Sequence, residues 1–159
     1  MYLAKHFNNL RGRHIRAVTE AKTLALISAL SATAFAGTAV VTNKCSQDVF
    51  LTITRSDQTS QTYDIQSGIS YSETISGQGN SFGVTLSSDY YSPNTPKLIW
   101  GFSDVSPTLY YSVSTVDGNP FGSLGFGLVV SDNSCSGVAS ADSRTRTCED
   151  GATFTLNLC

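Results

Sequence analysis

A chain of 159 residues with 14% charged side chains and a formal net charge of −2 is long enough to bury one sizeable core. Its ten basic residues divide evenly between the first thirty-six positions and the rest, so the remaining 123 residues carry five basic and eleven acidic side chains, a net charge of −6. That balance argues against nucleic acid and anionic membranes as partners, since both are bound by clustered Lys and Arg.

Residues 1–36 are expected to be a secretory signal peptide. A net-basic start (Lys5, Arg11, Arg13, Arg16 and Lys22 against Glu20) leads into the apolar run Leu24–Phe35, and Ala34-Phe35-Ala36 forms a small-x-small cleavage pattern before Gly37. The run is too short for a bilayer-spanning helix, which needs about 20 apolar residues, so no membrane span is expected. The basic start is long for a secretory signal and leaves a mitochondrial presequence as the alternative, but the cysteine usage favours export. The domain is expected over residues 37–159, secreted, with the cell wall as one destination.

Ala39–Thr42 and Val49–Thr54 are rich in β-branched and aromatic residues and flank the polar break Asn43, Lys44, Ser46, Gln47 and Asp48. This is the pattern of a strand-turn-strand hairpin, with Cys45 in the turn. Further strands are expected at Thr62–Ile65, Ser70–Ile75, Ser81–Leu86, Leu98–Phe102, Leu109–Val116, Gly125–Val130 and Thr153–Leu158. Turn formers separate them, among them Ser67-Gly68, Gly77-Gln78-Gly79-Asn80, Asp117-Gly118-Asn119-Pro120 and Asp150-Gly151. No stretch after Ala36 carries the apolar 3.6-residue period of a helix. Short strands at this spacing predict an all-β fold, an antiparallel β-sandwich or barrel whose sheets have one dry and one wet face. Phe50, Phe82, Trp100, Phe102 and Phe126 lie in predicted strands and are assigned to the core. Ser136–Ser143 is read as a mobile loop.

Four cysteines, Cys45, Cys135, Cys148 and Cys159, all follow the expected signal, and an even count there implies two disulfides. Three connectivities are possible. The favoured one joins Cys135 to Cys148 around a short polar loop and Cys45 to Cys159 around nearly the whole domain. No Cys-x-x-Cys pair exists and both histidines, His6 and His14, fall in the expected signal, so neither zinc nor any other cofactor is expected.

Several segments taken together carry a family resemblance. AVVTNKCSQDVFLTI resembles the opening of thaumatin-like proteins, a strand followed by Asn, a basic residue, Cys and a second strand. IQSGISYSETI is similar to their Leu-x-Ser-Gly-Glu-Ser-Trp-x-Ile stretch, and LYYSVSTVDGNPF to their Asp-Phe-Tyr-Asp-Ile-Ser-Leu-Val-Asp-Gly-Phe-Asn stretch. The short length, the four cysteines and the terminal Leu-Asn-Leu-Cys resemble most the small fungal branch, the Bys1 or antigenic thaumatin-like secreted proteins. The resemblance implies a β-sandwich core, a bridge between the first and last cysteines, and no room for the disulfide-rich second domain of plant relatives.

The chemistry this composition allows is narrow. Serine or cysteine nucleophiles need a base, and residues 37–159 contain no histidine. A glycosidase needs only two carboxylates flanking a cleft, as the resemblance implies for some plant relatives. Where that family carries a glutamate before a phenylalanine, however, this chain has Gly101 before Phe102, and Leu109 and Ser112 replace two of its aspartates. Only Asp117 matches, in a sequence that reads as a hairpin turn. Asp132 with Asn133, and Glu149 with Asp150, lack the spacing of a calcium loop and read as solvated loop residues. No Asn-x-Ser/Thr sequon is present. Tyr90 and Tyr91, set among turn formers, are the best candidates for ligand binding, since exposed rings stack on sugars or anchor a protein partner. The expectation is a monomeric, non-catalytic, wall-associated, antigenic or effector protein that binds wall polysaccharide or a host surface protein. A weak or degenerate β-1,3-glucanase, or a carbohydrate-binding module with an acidic cleft, is the alternative.

Overall fold

A computed structural model describes residues 36–159; apart from Ala36, the expected signal peptide lies outside the described residues. These residues form ten strands and no helix. In chain order they are β1 Thr38–Asn43, β2 Val49–Thr54, β3 Ser60–Ile65, β4 Ser70–Thr74, β5 Asn80–Thr85, β6 Lys97–Val105, β7 Thr108–Val116, β8 Phe126–Val130, β9 Arg146–Glu149 and β10 Thr153–Leu158. All nine expected runs are strands. β9, with its sequence Arg-Thr-Cys-Glu, was not expected, because it has no apolar alternation.

The strands form a sandwich of a four-stranded sheet, ordered β4-β1-β10-β8, and a six-stranded sheet, ordered β3-β2-β5-β6-β7-β9. Pairing is antiparallel except between β1 and β10, which run parallel with Thr38 opposite Thr153 and Asn43 opposite Leu158. Two-residue periodicity turns alternate side chains inward. Ala39, Val41, Phe154, Leu156 and Leu158 from one sheet meet Leu51, Ile53, Phe82, Val84, Leu98, Trp100, Tyr111 and Val113 from the other, all fully or nearly fully buried. At the centre, Trp100 lies 5.2 Å from Phe82 edge-on and 6.3 Å from Phe154 in the facing sheet. Such offset and edge contacts suit the ring quadrupoles.

Three expectations change. The opening unit is not a hairpin: β1 and β2 belong to different sheets. The turn is real, but the buried Asn43 side chain redirects it by donating to Gln47 O at 2.9 Å and Ile65 O at 2.8 Å and accepting from Cys45 N at 2.9 Å. Phe50 is only half-buried, because it alternates with the buried Val49 and Leu51 and so points outward; Phe126 is likewise half-buried but packs on the core. Ser136–Ser143 is a strap rather than a free loop. Val138 is 3% exposed and exchanges both backbone hydrogen bonds with Leu128, Tyr111 donates to Ser136 O, and Ser143 N donates to Val113 O.

Two disulfides fix the ends of this arrangement, Cys45–Cys159 and Cys135–Cys148. The first joins the crossover after β1 to the residue after β10, beside the backbone bond from Lys44 N to Leu158 O.

Candidate functional site

The eleven residues from Leu86 to Pro96 link β5 to β6, and the loop they form folds back over the outer face of the six-stranded sheet. Its shape is set from within. Thr85 Oγ1 donates to Ser87 O at 2.6 Å, Ser92 N to Asp89 O at 3.4 Å, and Thr95 Oγ1 to Asp89 O at 3.1 Å. Asn94 takes a positive φ of 64°, which Asn tolerates better than most residues.

Tyr90 and Tyr91 are therefore loop residues, not neighbours on one strand. The Tyr90 ring lies flat on Gly83, where a Cβ would stand 2.7 Å from its Cζ. Only glycine accommodates this contact. Burial, and secondarily Tyr91, raise the Tyr90 phenol above its ordinary value. Tyr91 is 70% exposed. Its ring stands 5.0 Å from that of Tyr90 at 82°, and its hydroxyl is 2.7 Å from Ser60 Oγ on β3.

Asp117 is connected to the same assembly through a residue that sequence reasoning missed. Lys97, at the start of β6, is 9% exposed. Its ammonium sits 5.5 Å from the centroid of the Tyr90 ring, donates to Thr95 O at 2.8 Å and pairs with Asp117 Oδ2 at 3.3 Å. A cation over an aromatic face contributes about 0.5–2 kcal/mol, more when desolvated. The signal available in the sequence was that Lys97 is one of only two lysines after residue 36. Asp117 and Gly118 do form a turn, with φ of 56° and 109°. It is not a hairpin, because β7 and β8 lie in different sheets.

Of the other acids, Asp89 lies exposed in the loop itself. Asp132 accepts from Ser134 N at 2.8 Å, and this contact lowers its carboxyl below the ordinary value. Among the described residues, no three potential ligands converge on a metal position. Of the positions at which the resemblance implies cleft acids, Gly101 and Ser112 face each other on the outer side of β6 and β7, while Leu109 is buried.

One carboxylate pair remains. Asp104, at the end of β6, has a carboxyl oxygen fully buried without a partner. Burial, and then the nearby Asp150, hold the Asp104 carboxyl above its ordinary value of 3.8. The folded state thus binds this proton more tightly than the unfolded chain, and the resulting stability is complete below about pH 3.8 and lost as pH rises through the folded value. Asp104→Asn, whose amide can donate to Asp150, is expected to raise the melting temperature at pH 7 by about 2 °C. The gain should shrink towards pH 3 in parallel melts.

Comparison with known proteins agrees with this architecture. The family model described as Bys1, Blastomyces yeast-phase-specific protein, matches residues 26–159. An antigenic thaumatin-like protein from Arthroderma benhamiae is 27% identical over 114 residues, covering 72% of this chain and 58% of that protein. The chain therefore spans rather more than half the length of that relative. Among solved structures, the protein elicitor MoHrip2 from Magnaporthe oryzae superposes with a TM-score of 0.64 at 21% identity, covering 78% of this chain and 99% of that one. The thaumatin-like xylanase inhibitor TLXI gives 0.59 at 13% identity, covering 76% and 98%. At those identities the structural likeness establishes the fold alone. With that fold and the match across residues 26–159, the chain belongs to the Bys1 family, within the thaumatin-like β-sandwich proteins.

Proposed function

We propose that this is a non-catalytic protein, exported by means of residues 1–36, that binds cell-wall glycan through the Tyr90–Tyr91 platform while Lys97 and Asp117 hold the platform from behind. The observation that carries this reading is Tyr91. The residue is 70% exposed, yet its ring is held at the hydroxyl by Ser60 and on its side by Tyr90. An aromatic surface held in place before the ligand arrives loses little freedom on binding, and sugars stack on such rings.

The degenerate-glucanase alternative has less support. Asp104 has a carboxyl oxygen fully buried, whereas glycosidase carboxylates face an open cleft that admits the sugar between them. Gly101 and Ser112 provide no acid. A host surface protein is the rival ligand, favoured by the elicitor and the xylanase inhibitor among the structural neighbours.

Depletion of the purified, oxidised protein by insoluble β-1,3-glucan and by chitin, with released sugar assayed in the same tubes, tests the reading. Binding without sugar release is expected, weakened about tenfold in Tyr91→Ala. Sugar release would sink it. Absence of binding to both glycans would turn the search to host proteins.

A further inference from the structure

We propose that the ligand is a neutral, unbranched polysaccharide lying across five strands of the larger sheet, from Tyr91 to a second subsite at Tyr110. This rests on the glycan reading above and names the class of glycan and its path.

The path is an outward row in strict register. Ser60 on β3 faces Thr54 on β2, which faces Ser81 on β5, Gly101 on β6 and Ser112 on β7. The row begins at Ser60, which bonds the Tyr91 hydroxyl. It ends in an open trough of about 380 Å³ lined by Gly79, Gly101, Ser103, Tyr110, Ser112 and Thr145. Tyr110 is 42% exposed and stands beside Ser103 across the β6–β7 pair. Four strand spacings of about 4.8 Å separate β3 from β7, roughly 19 Å in all. That span fits several sugar rings and exceeds a single one.

The chemistry of the face selects the ligand. The adjacent outward row reads Thr62, Thr52, Gly83, Ile99 and Ser114, of which Thr52 is fully buried and Gly83 lies under the Tyr90 ring. Leaving out those two, the rows hold six hydroxyl side chains, one glycine and one isoleucine, with no charge, in a domain whose charged residues number sixteen. Hydroxyls both donate and accept, as sugar hydroxyls do. The Ser103 hydroxyl already accepts from Gly79 N at 2.9 Å and so retains its proton to donate. A protein partner would instead seek an apolar centre with aromatic or Arg anchors, and between the two tyrosines this strip offers only Ile99. Gly101 leaves the floor of the trough open: a Cβ there would meet only Ser112 Oγ, at 3.7 Å.

Gly101→Val places a strand-favouring side chain in that space without strain on the fold, and Tyr110→Ala removes the far ring. With the purified, oxidised full chain, retention on insoluble β-1,3-glucan or chitin should fall about tenfold in each variant, with parental melting curves. Retention should be insensitive to NaCl between about 0.05 and 0.5 M, because the outward strand rows carry no charge to screen. Polygalacturonate, an anionic control, should not retain the protein. If Tyr91→Ala weakens binding while Gly101→Val and Tyr110→Ala bind like the parent, the path across the sheet is wrong and the platform stands. If neither neutral glycan retains the parent, both readings fall. Salt-sensitive retention on polygalacturonate overturns the neutral class.

Discussion

Replacing both Cys45 and Cys159 with alanine is expected to lower the free energy of unfolding by about 4–5 kcal/mol, as the chain-entropy account gives for loops near 100 residues. The bridge closes a loop of sequence separation 114, and so removes more freedom from the unfolded chain than any other link here. Folded domains have only about 5–15 kcal/mol of stability in all, so the double variant should lose a third or more of it. Urea unfolding at pH 7 checks this, read as a fall in midpoint at nearly constant slope. The corresponding change at Cys135 and Cys148, separated by 13 residues, should cost less, about 3 kcal/mol or below. Equal losses from the two pairs would refute the loop-length argument.

Trp100→Ala should be the most damaging single core substitution, at about 3–5 kcal/mol. Trp100 is fully buried and lies between Phe82, Phe102 and Phe154, at 5.2, 5.6 and 6.3 Å. Trp100→Phe separates packing from polarity, because the indole Nε1 is buried with no hydrogen-bond partner. Losing an unsatisfied N–H relieves about 1–3 kcal/mol, which offsets much of the smaller ring's lost contact. Thermal melts followed by circular dichroism should therefore place Phe close to the parent and Ala far below it. A Phe variant as unstable as the Ala variant would mean that the N–H is satisfied after all.

What could be read from the sequence was whatever depends on local alternation. Thr153 to Leu158 alternates Phe154, Leu156 and Leu158 inward, and its limits coincide with β10. Arg146–Glu149 could not be recognised in this way, since only Cys148 of its four residues is buried and its partner β7 lies far back in the chain, with Leu109 opposite Cys148. Sheet membership was also hidden. The turn after Asn43 reads like a hairpin turn because a turn is all that local sequence encodes, and the buried Asn43 amide, bonded to Ile65 O twenty-two residues away, decides which sheet the chain enters next. Phe50 was legible in principle, since Val49, Leu51 and Ile53 define the inward face. At the candidate site, the sequence singled out Tyr90, Tyr91 and Asp117. It could not show that Lys97 joins Tyr90 to Asp117, nor that Tyr90 rests on Gly83, because both contacts depend on how a loop folds over the sheet.

The parallel pairing of β1 with β10 has a consequence for biosynthesis. The first strand of the domain borders β4, and its other neighbour is β10, at a sequence separation of 115 between Thr38 and Thr153. Contacts this distant in sequence slow folding, since the chain must close a long loop before they contribute. A chain emerging from the ribosome can form the β2–β3 hairpin and the β5–β6–β7 meander early, but β1 keeps an open edge and Cys45 an unpaired thiol until Cys159 arrives. Synthesis of β10 and Cys159, rather than any local turn, is thus the event that lets the domain close.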